Sequence, residues 1–283
     1  MTEAGRAHPG TLTLLWELVT GRRAVERSGP LLRAFRRLPG PLRDAARWTL
    51  RPRRRFLLGR LRALAADHVM SGPFGGMRLA GLPAAQELLG TYEHELFDTV
   101  HALARGPYRT VVNVGARNGY YAVGLARLMP NARVTAFEGD DEARALLAAT
   151  VALNGVAGRV DVRGFCEPPD LAVALEAKDA LVVCDIDGGE DTLLDPRLVP
   201  ALAHATMLVE CHTYGELRTE PLMTMRFLPT HEVQRIAVEE RVLAHLPAGV
   251  GEPWRSRMPR KLEALMQEHR AVPQSWLLLT PRG

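Results

Sequence analysis

Apolar residues change their period near residue 109. Before it they recur at helical spacing in pieces broken by Gly and Pro, which predicts helices over Leu12–Val19, Pro30–Leu38, Leu42–Leu50 and Phe56–His68. Gly72–Met77 reads as a loop, and Pro83–Ala104 as one longer amphipathic helix carrying Tyr92, Glu93 and His94. From Arg109 onward short apolar runs alternate with helical stretches. Strands are expected at Thr110–Val114, Arg133–Phe137, Val160–Phe165, Leu181–Asp185 and Thr206–Cys211, with Asn154-Gly155 closing one intervening helix. The runs His231–Val238 and Ser275–Thr280 supply a final antiparallel pair. The pattern is that of an α/β fold: a seven-stranded, mostly parallel sheet with helices on both faces, in residues 106–283, preceded by a helical extension over residues 1–105.

The richest stretch for chemistry starts at the first of these strands. Val111-Val112-Asn113-Val114 runs into Gly115-Ala116-Arg117-Asn118-Gly119 and then into the helical spacing of Tyr120–Leu128, and the next strand ends at Glu138. Glycines at such a turn let backbone approach a ligand with no Cβ in the way. An acid at the second strand end can accept hydrogen bonds from both hydroxyls of a ribose. A dinucleotide site asks for G-x-G-x-x-G, whose second glycine is replaced here by Arg117.

Asn113-x-Gly115-x3-Gly119 instead resembles motif I of the class I S-adenosylmethionine (SAM) methyltransferases, written (D/E)-x-G-x-G-x-G, and Glu138 is similar to their motif II acid. The chain departs from that pattern twice, with Asn113 for the acid and Arg117 for the central glycine. The resemblance implies a Rossmann-like fold and SAM as cofactor. It places Asn113, Gly115, Ala116, Asn118 and Gly119 around the amino-acid end and ribose, Glu138 on the ribose hydroxyls, the segment around Cys166 at the adenine edge, and Asp185 beside the cofactor. In this class a helical N-terminal extension covers the site or forms a homodimer, and the same two roles are expected of residues 1–105; within it Tyr92 and Glu93 either close over the methionine end of the cofactor or lie on a surface helix.

Ligands of open α/β sheets sit outside the carboxyl ends of the strands, where this chain carries a second constellation. Asp185-Ile186-Asp187-Gly188-Gly189-Glu190 follows one strand and Glu210-Cys211-His212 ends another; by strand alternation Asp185 and Asp187 can share a face, as can Glu210 and His212. The two segments resemble the FkbM-type O-methyltransferases, with Asp187 standing where their Asp-x-Glu-Gly-x-Glu pattern has Glu. Three readings stay open for Asp185, Glu210 and His212. They could hold a divalent metal (Mg²⁺, Mn²⁺ or Fe²⁺). His212 could act as general base on a substrate hydroxyl. Or Glu210 and His212 could simply cap the sheet while Asp185 touches SAM.

The expected activity is O-methylation of a small-molecule, sugar or peptide natural product. N- or carboxyl-methylation, RNA methylation and a non-catalytic SAM-binding module are the alternatives.

Charge leaves RNA a weak case. Residues 1–80 hold sixteen arginines against five acids, a surplus of +11 in a chain whose formal charge is +4, so residues 81–283 carry −7. Arg51-Pro52-Arg53-Arg54-Arg55 could contact phosphate, yet no aromatic interleaving or nucleic-acid module accompanies it. No apolar run approaches the ~20 residues of a membrane span. Leu12–Val19 is interrupted by Glu17 and lacks a basic segment before it and a cleavage site after it, so the expectation is a cytoplasmic protein. Cys166, Cys184 and Cys211 lack metal-type spacing and read as buried, reduced thiols.

Overall fold

A computed structural model of the chain describes residues 52–176, 179–214, 217–268 and 274–282. The helices expected at Leu12–Val19, Pro30–Leu38 and Leu42–Leu50 lie outside these residues, as do the side chains of the Arg51–Arg55 run. The chain divides into two units, Met1–Leu64 and Ala65–Gly283. In the first, the described part belongs to helix α1, Pro52–Ala65. It begins earlier than the Phe56 expected, because a proline costs nothing in the first turn, and it stops where Ala66 and Asp67 turn left-handed.

The second unit opens with helices α2 (Ala85–Leu89) and α3 (Phe97–Ala104), then alternates: β1 (Thr110–Val114), α4 (Tyr120–Leu128), β2 (Arg133–Phe137), α5 (Asp141–Leu153), β3 (Val160–Arg163), α6 (Pro168–Ala174), β4 (Ala180–Cys184), α7 (Glu190–Leu193) and β5 (Thr206–Tyr214). A two-residue β6 (Leu217–Arg218), α8 (Thr219–Phe227), β7 (His231–Ala237), α9 (Glu252–Arg257), α10 (Pro259–Met266) and β8 (Gln274–Pro281) complete it. The strands lie in the order β3-β2-β1-β4-β5-β8-β7, with β6 paired to the outer end of β5. Pairs from β3 through β5 are parallel, and β8 runs antiparallel to both β5 and β7. This is the expected Rossmann-like sheet with its final antiparallel pair.

Why the strands form is visible in their burial. β4 is apolar and buried at every position, which only a central strand covered on both faces permits. Alternation sends Val111, Val134, Leu181, Val183 and Leu208 to a core with Val100, Ala122 and Leu147 from α3, α4 and α5. The opposite face sends Val112, Val182, Cys184, Met207 and Val209 to a core with Leu171 from α6 and Met223 and Phe227 from α8. β5 runs past the expected Cys211 because β8 keeps pairing with it as far as His212, opposite Gln274.

The single helix expected over Pro83–Ala104 does not form. α2 ends at Gly90, whose left-handed backbone (φ 71°) caps it, and a Cβ there would lie 2.1 Å from the Ser71 carbonyl oxygen. Glu93 is left-handed too (φ 47°), and a 3-10 turn over His94–Leu96 then leads into α3. Tyr92 and Glu93 therefore sit on a tight turn, not on a helix surface. Among the described residues no helix is long and apolar enough to cross a membrane.

One contact fixes the centre of the sheet. The Asp185 amide donates to the Val114 carbonyl at 3.0 Å, and a Cβ on Gly115 would fall 1.6 Å from the Asp185 carbonyl oxygen, at φ 78°. Gly115→Ala should therefore cost about 3–5 kcal/mol of folding stability. Gly155→Ala, also left-handed but with nothing within 4 Å of the new methyl, should cost only ~1–2 kcal/mol. Equal costs in denaturant unfolding would contradict this packing.

Candidate functional site

The turn after β1 is tied to its neighbours by backbone. The amides of Gly115 and Ala116 donate to the Phe137 carbonyl at 3.0 and 2.9 Å, so β1 and β2 end together. Glu138 follows at once and bends its carboxylate back, accepting from the Arg117 amide at 2.6 Å and the Asp140 amide at 2.8 Å. A carboxylate held at both oxygens by fixed N–H groups still has lone pairs for further donors. Those face a cleft of about 740 Å³ whose wall includes Gly115, Glu138, Phe165, Cys166, Asp185 and Gly189. That volume suits a nucleoside-sized ligand.

A recess of about 20 Å³ shares Gly115, Arg117 and Asp185 with the cleft and adds Glu87, Tyr92, Asn113, Ala116, Asn118 and Tyr120. Asn113 donates its Nδ2 to the Val183 carbonyl at 3.2 Å. Its buried Oδ1 and the buried hydroxyl of Tyr120 have no hydrogen-bond partner in the described structure. Orphaned buried polar atoms are rare in folded proteins and mark places where a ligand or water completes the bonding. Asn118 donates to Glu87 at 2.9 Å. Asn113, Gly115, Ala116, Asn118, Glu138, Cys166 and Asp185 thus line one or both cavities. Gly119 lines neither: it starts α4, with Leu147 packed 2.9 Å from where its Cβ would be.

At the far side of Asp185 lies the second constellation. His212 is fully buried and both ring nitrogens face carboxylates. Nδ1 donates to Glu190 Oε1 at 3.0 Å, while Nε2 lies 3.3 Å from Asp187, 3.4 Å from Glu210 and 4.0 Å from Asp185. Burial works against the imidazolium, but the hydrogen bond and charge of Glu190, with the charges of Asp185 and Asp187, outweigh it and raise the His212 pKa. Burial, with the charge of Asp187, also raises the Asp185 carboxyl, more than its hydrogen bond to Glu210 and the charges of His212 and Arg117 lower it. Two carboxyl groups that share a hydrogen bond must share a proton.

Glu190 is a member of the site that sequence reasoning did not assign to it, whereas Glu93 belongs to the pair expected either to close over the methionine end of the cofactor or to lie on a surface helix. Glu190 could have been found: it is the third acid of Asp-Ile-Asp-Gly-Gly-Glu, and a wholly buried carboxylate needs the partner it has in His212. Glu93 reaches the site from a left-handed turn instead of the expected helix. It is buried, accepts a short hydrogen bond from the Tyr121 hydroxyl, and brings a carboxylate oxygen within 4.8 Å of those of Asp185 and Glu210. Asp185, Asp187 and His212 form a second group of ligand atoms within the same 4.8 Å. The expected trio Asp185, Glu210 and His212 is therefore gathered in one place, but among the described residues it is distributed over two donor groups that share Asp185.

His231 lies outside the cluster. Its Nε2 faces the Ala205 carbonyl at 3.1 Å and its Nδ1 the Thr230 hydroxyl at 2.8 Å, a structural role. The three cysteines are free and buried, as expected. Cys166, on the cleft wall, is pushed up to about 12 by burial and Asp170.

No family model and no curated protein matches the chain. Among solved structures, it is similar to an O-methyltransferase of tomaymycin synthesis from Streptomyces achromogenes in complex with SAM, at 16% identity over 65% of this chain and 78% of that one, TM-score 0.43. It is similar to an O-methyltransferase from Bacillus cereus in complex with SAH at 14% identity, over 79% and 90% of the two chains, TM-score 0.44. The C-terminal domain of precorrin-6Y C5,15-methyltransferase from Rhodobacter capsulatus matches at 18% identity over 66% and 87%, TM-score 0.44. Likenesses this distant carry no argument about activity or acceptor.

The His212 cluster makes its own prediction. An NMR titration should place His212 above the ordinary 6.5 of histidine. Because the folded value is raised, the stability it contributes is fully present below the unfolded value and is lost as pH rises through the folded one. Glu190→Gln should lower the His212 value and narrow that window. A wild-type value at or below 6.5 would contradict the ion-paired arrangement.

Proposed function

We propose that the chain is a SAM-dependent methyltransferase acting on an oxygen of a small-molecule, sugar or peptide natural product. The observation that carries the reading is Glu138: a carboxylate pinned by two backbone N–H groups at the wall of a nucleoside-sized cleft, on the turn that also carries the motif-like Asn113 and Gly115. In this reading Glu138 accepts from the two ribose hydroxyls, and the adenine edge lies along Phe165–Glu167. The amino-acid end lies at the mouth of the recess, with its ammonium directed to the orphaned Asn113 Oδ1. Asp185, common to both cavities, then stands beside the sulfonium.

Methyl transfer asks the protein mainly to align nucleophile, methyl and sulfur, and for a hydroxyl to manage one proton. His212 is the group that takes it. Glu190 fixes the Nδ1–H tautomer and leaves Nε2 on the side of Asp185, Asp187 and Glu210, whose carboxylates stabilise the imidazolium that forms. The raised pKa has a cost, since the imidazole must first be neutral.

A metal-assisted form of the same reaction is favoured by one observation: the ligand atoms of Asp185, Asp187 and His212 lie within 4.8 Å of one another, and Glu190 on the other ring nitrogen is the carboxylate support that metal-ligating histidines use. A divalent cation held there would polarise the acceptor hydroxyl. In that form Glu190 orients the ligand histidine instead of a base.

Calorimetry with SAM tests the cofactor, and Glu138→Ala should weaken binding by roughly 10–100-fold, the loss of charged hydrogen bonds to ribose. No binding to a folded sample would end the proposal. With an acceptor in hand, kcat/KM should rise with pH through a value above 6.5, and Glu190→Gln should move that limb to lower pH. Full turnover in His212→Ala would remove His212 from proton transfer, and loss of activity in chelator would select the metal-assisted form.

A further inference from the structure

The acid cluster contains one member from outside the sheet, and its placement is unusually well enforced. Glu93 occupies left-handed backbone at φ 47°, a region that costs a non-glycine residue energy and persists only where surroundings hold it. The holder is Arg241, itself 2% exposed. Its Nε donates to the Thr91 carbonyl at 2.9 Å, and its guanidinium pairs with Glu95 at 2.6 Å and Glu268 at 2.5 Å. Glu268 in turn accepts from the Glu93 amide at 2.8 Å. One buried cation therefore clamps residues 91–95 from both sides. On the turn so clamped, Tyr92 lines the recess and Glu93 presents its carboxylate to Asp185 and Glu210.

The Glu93 carboxylate lies within 4.8 Å of those of Asp185 and Glu210. The recess beside it holds the two orphaned polar atoms, Asn113 Oδ1 on a side chain 2% exposed and the Tyr120 hydroxyl. Two polar atoms next to Asp185 are thus open to completion by a ligand group or a water. Asn113 supplies only a neutral acceptor where the methyltransferase pattern has an acid, so a cation bound there lacks the formal charge that β1 would otherwise give it.

We propose that Glu93, set in place by Arg241, is a specificity-determining residue that makes the site prefer the cationic sulfonium of SAM over the neutral thioether of the product, S-adenosylhomocysteine. The inference rests on the SAM reading of the cleft. The two ligands differ at the sulfur by one methyl and one positive charge, so their affinity ratio reports the field there. A negative charge a few ångströms away biases the ratio toward SAM, and neutralising it removes that bias. Such a bias favours product departure after each transfer.

The test is calorimetric titration of the full chain with each ligand, for the wild type, Glu93→Gln and Arg241→Lys. Glu93→Gln keeps the size of the side chain and can still accept the Tyr121 hydrogen bond. It is expected to lower the ratio of SAM to S-adenosylhomocysteine affinity about tenfold, with the change mostly in SAM. Arg241→Lys, which loses the fork that spans Glu95, Glu268 and the 91 carbonyl, should lower the ratio in the same direction. A loss of stability alone would weaken both ligands equally and leave the ratio fixed, which would overturn the proposal. If Glu93→Gln fails to fold, the Arg241→Lys ratio decides in the same way. Failure of the wild type to bind either ligand would overturn the cofactor reading and this inference with it.

Discussion

The closeness of β1 to β4 at Gly115 is the constraint on which the site depends. With Gly115 free of a Cβ, the Asp185 carbonyl can come within reach of its backbone, and the Asp185 amide can bond Val114. The same turn reaches the other way through the Gly115 and Ala116 amides to Phe137. Three strand ends are thereby locked into one line. That line sets Asn113, Glu138 and Asp185 relative to one another before any ligand arrives, which is the preorganisation a transfer reaction needs. A methyl at residue 115 would prise β4 away and move Asp185, and with it the contact to His212.

Electrostatics then decides what the line of strand ends can do. Glu190, Glu210 and Glu93 are buried and Asp185 is largely so, against the single buried imidazole of His212 and the guanidinium of Arg117 at the rim. Such an excess of acid is eased where carboxyls share protons, as Asp185 and Glu210 do through their hydrogen bond, and where the surrounding carboxylates favour the His212 imidazolium. A sulfonium, an ammonium or a divalent cation would each relieve it, which is why the cofactor reading and the metal-assisted reading draw on the same atoms.

How much of this was legible in the sequence follows from the range of the interactions involved. β1, β2, β4 and β5 were legible because central parallel strands must be apolar throughout, and Val111–Val114 and Leu181–Cys184 can be little else. Asp185, Glu210 and His212 could be placed together because strand order and alternation carry them to one edge. The helix over Pro83–Ala104 was misread since apolar spacing does not see left-handed residues, and Gly90 and Glu93 break it for reasons found at Ser71 and Glu268. Arg241 is the extreme case. Its bond to Thr91 spans 150 residues, and nothing local distinguishes it from the arginines on the surface.

The two departures from the methyltransferase turn can be read as one redistribution of charge. Asn113 removes an acid from β1, while Arg117 adds a cation on a left-handed residue at the rim, in the field of Glu87, Asp185 and Asp187. Taken alone these changes would make the amino-acid end of the cleft two charges more positive and hostile to a sulfonium. On the proposed reading, Glu93 restores part of the balance from a different segment, and it is as deeply buried as Asn113. A turn that keeps its backbone geometry but moves its charges to neighbouring elements can hold the same ligand, provided those elements are as rigid as the strand was. The Arg241 contacts to Thr91, Glu95 and Glu268 hold the turn that carries Glu93 with rigidity of that kind.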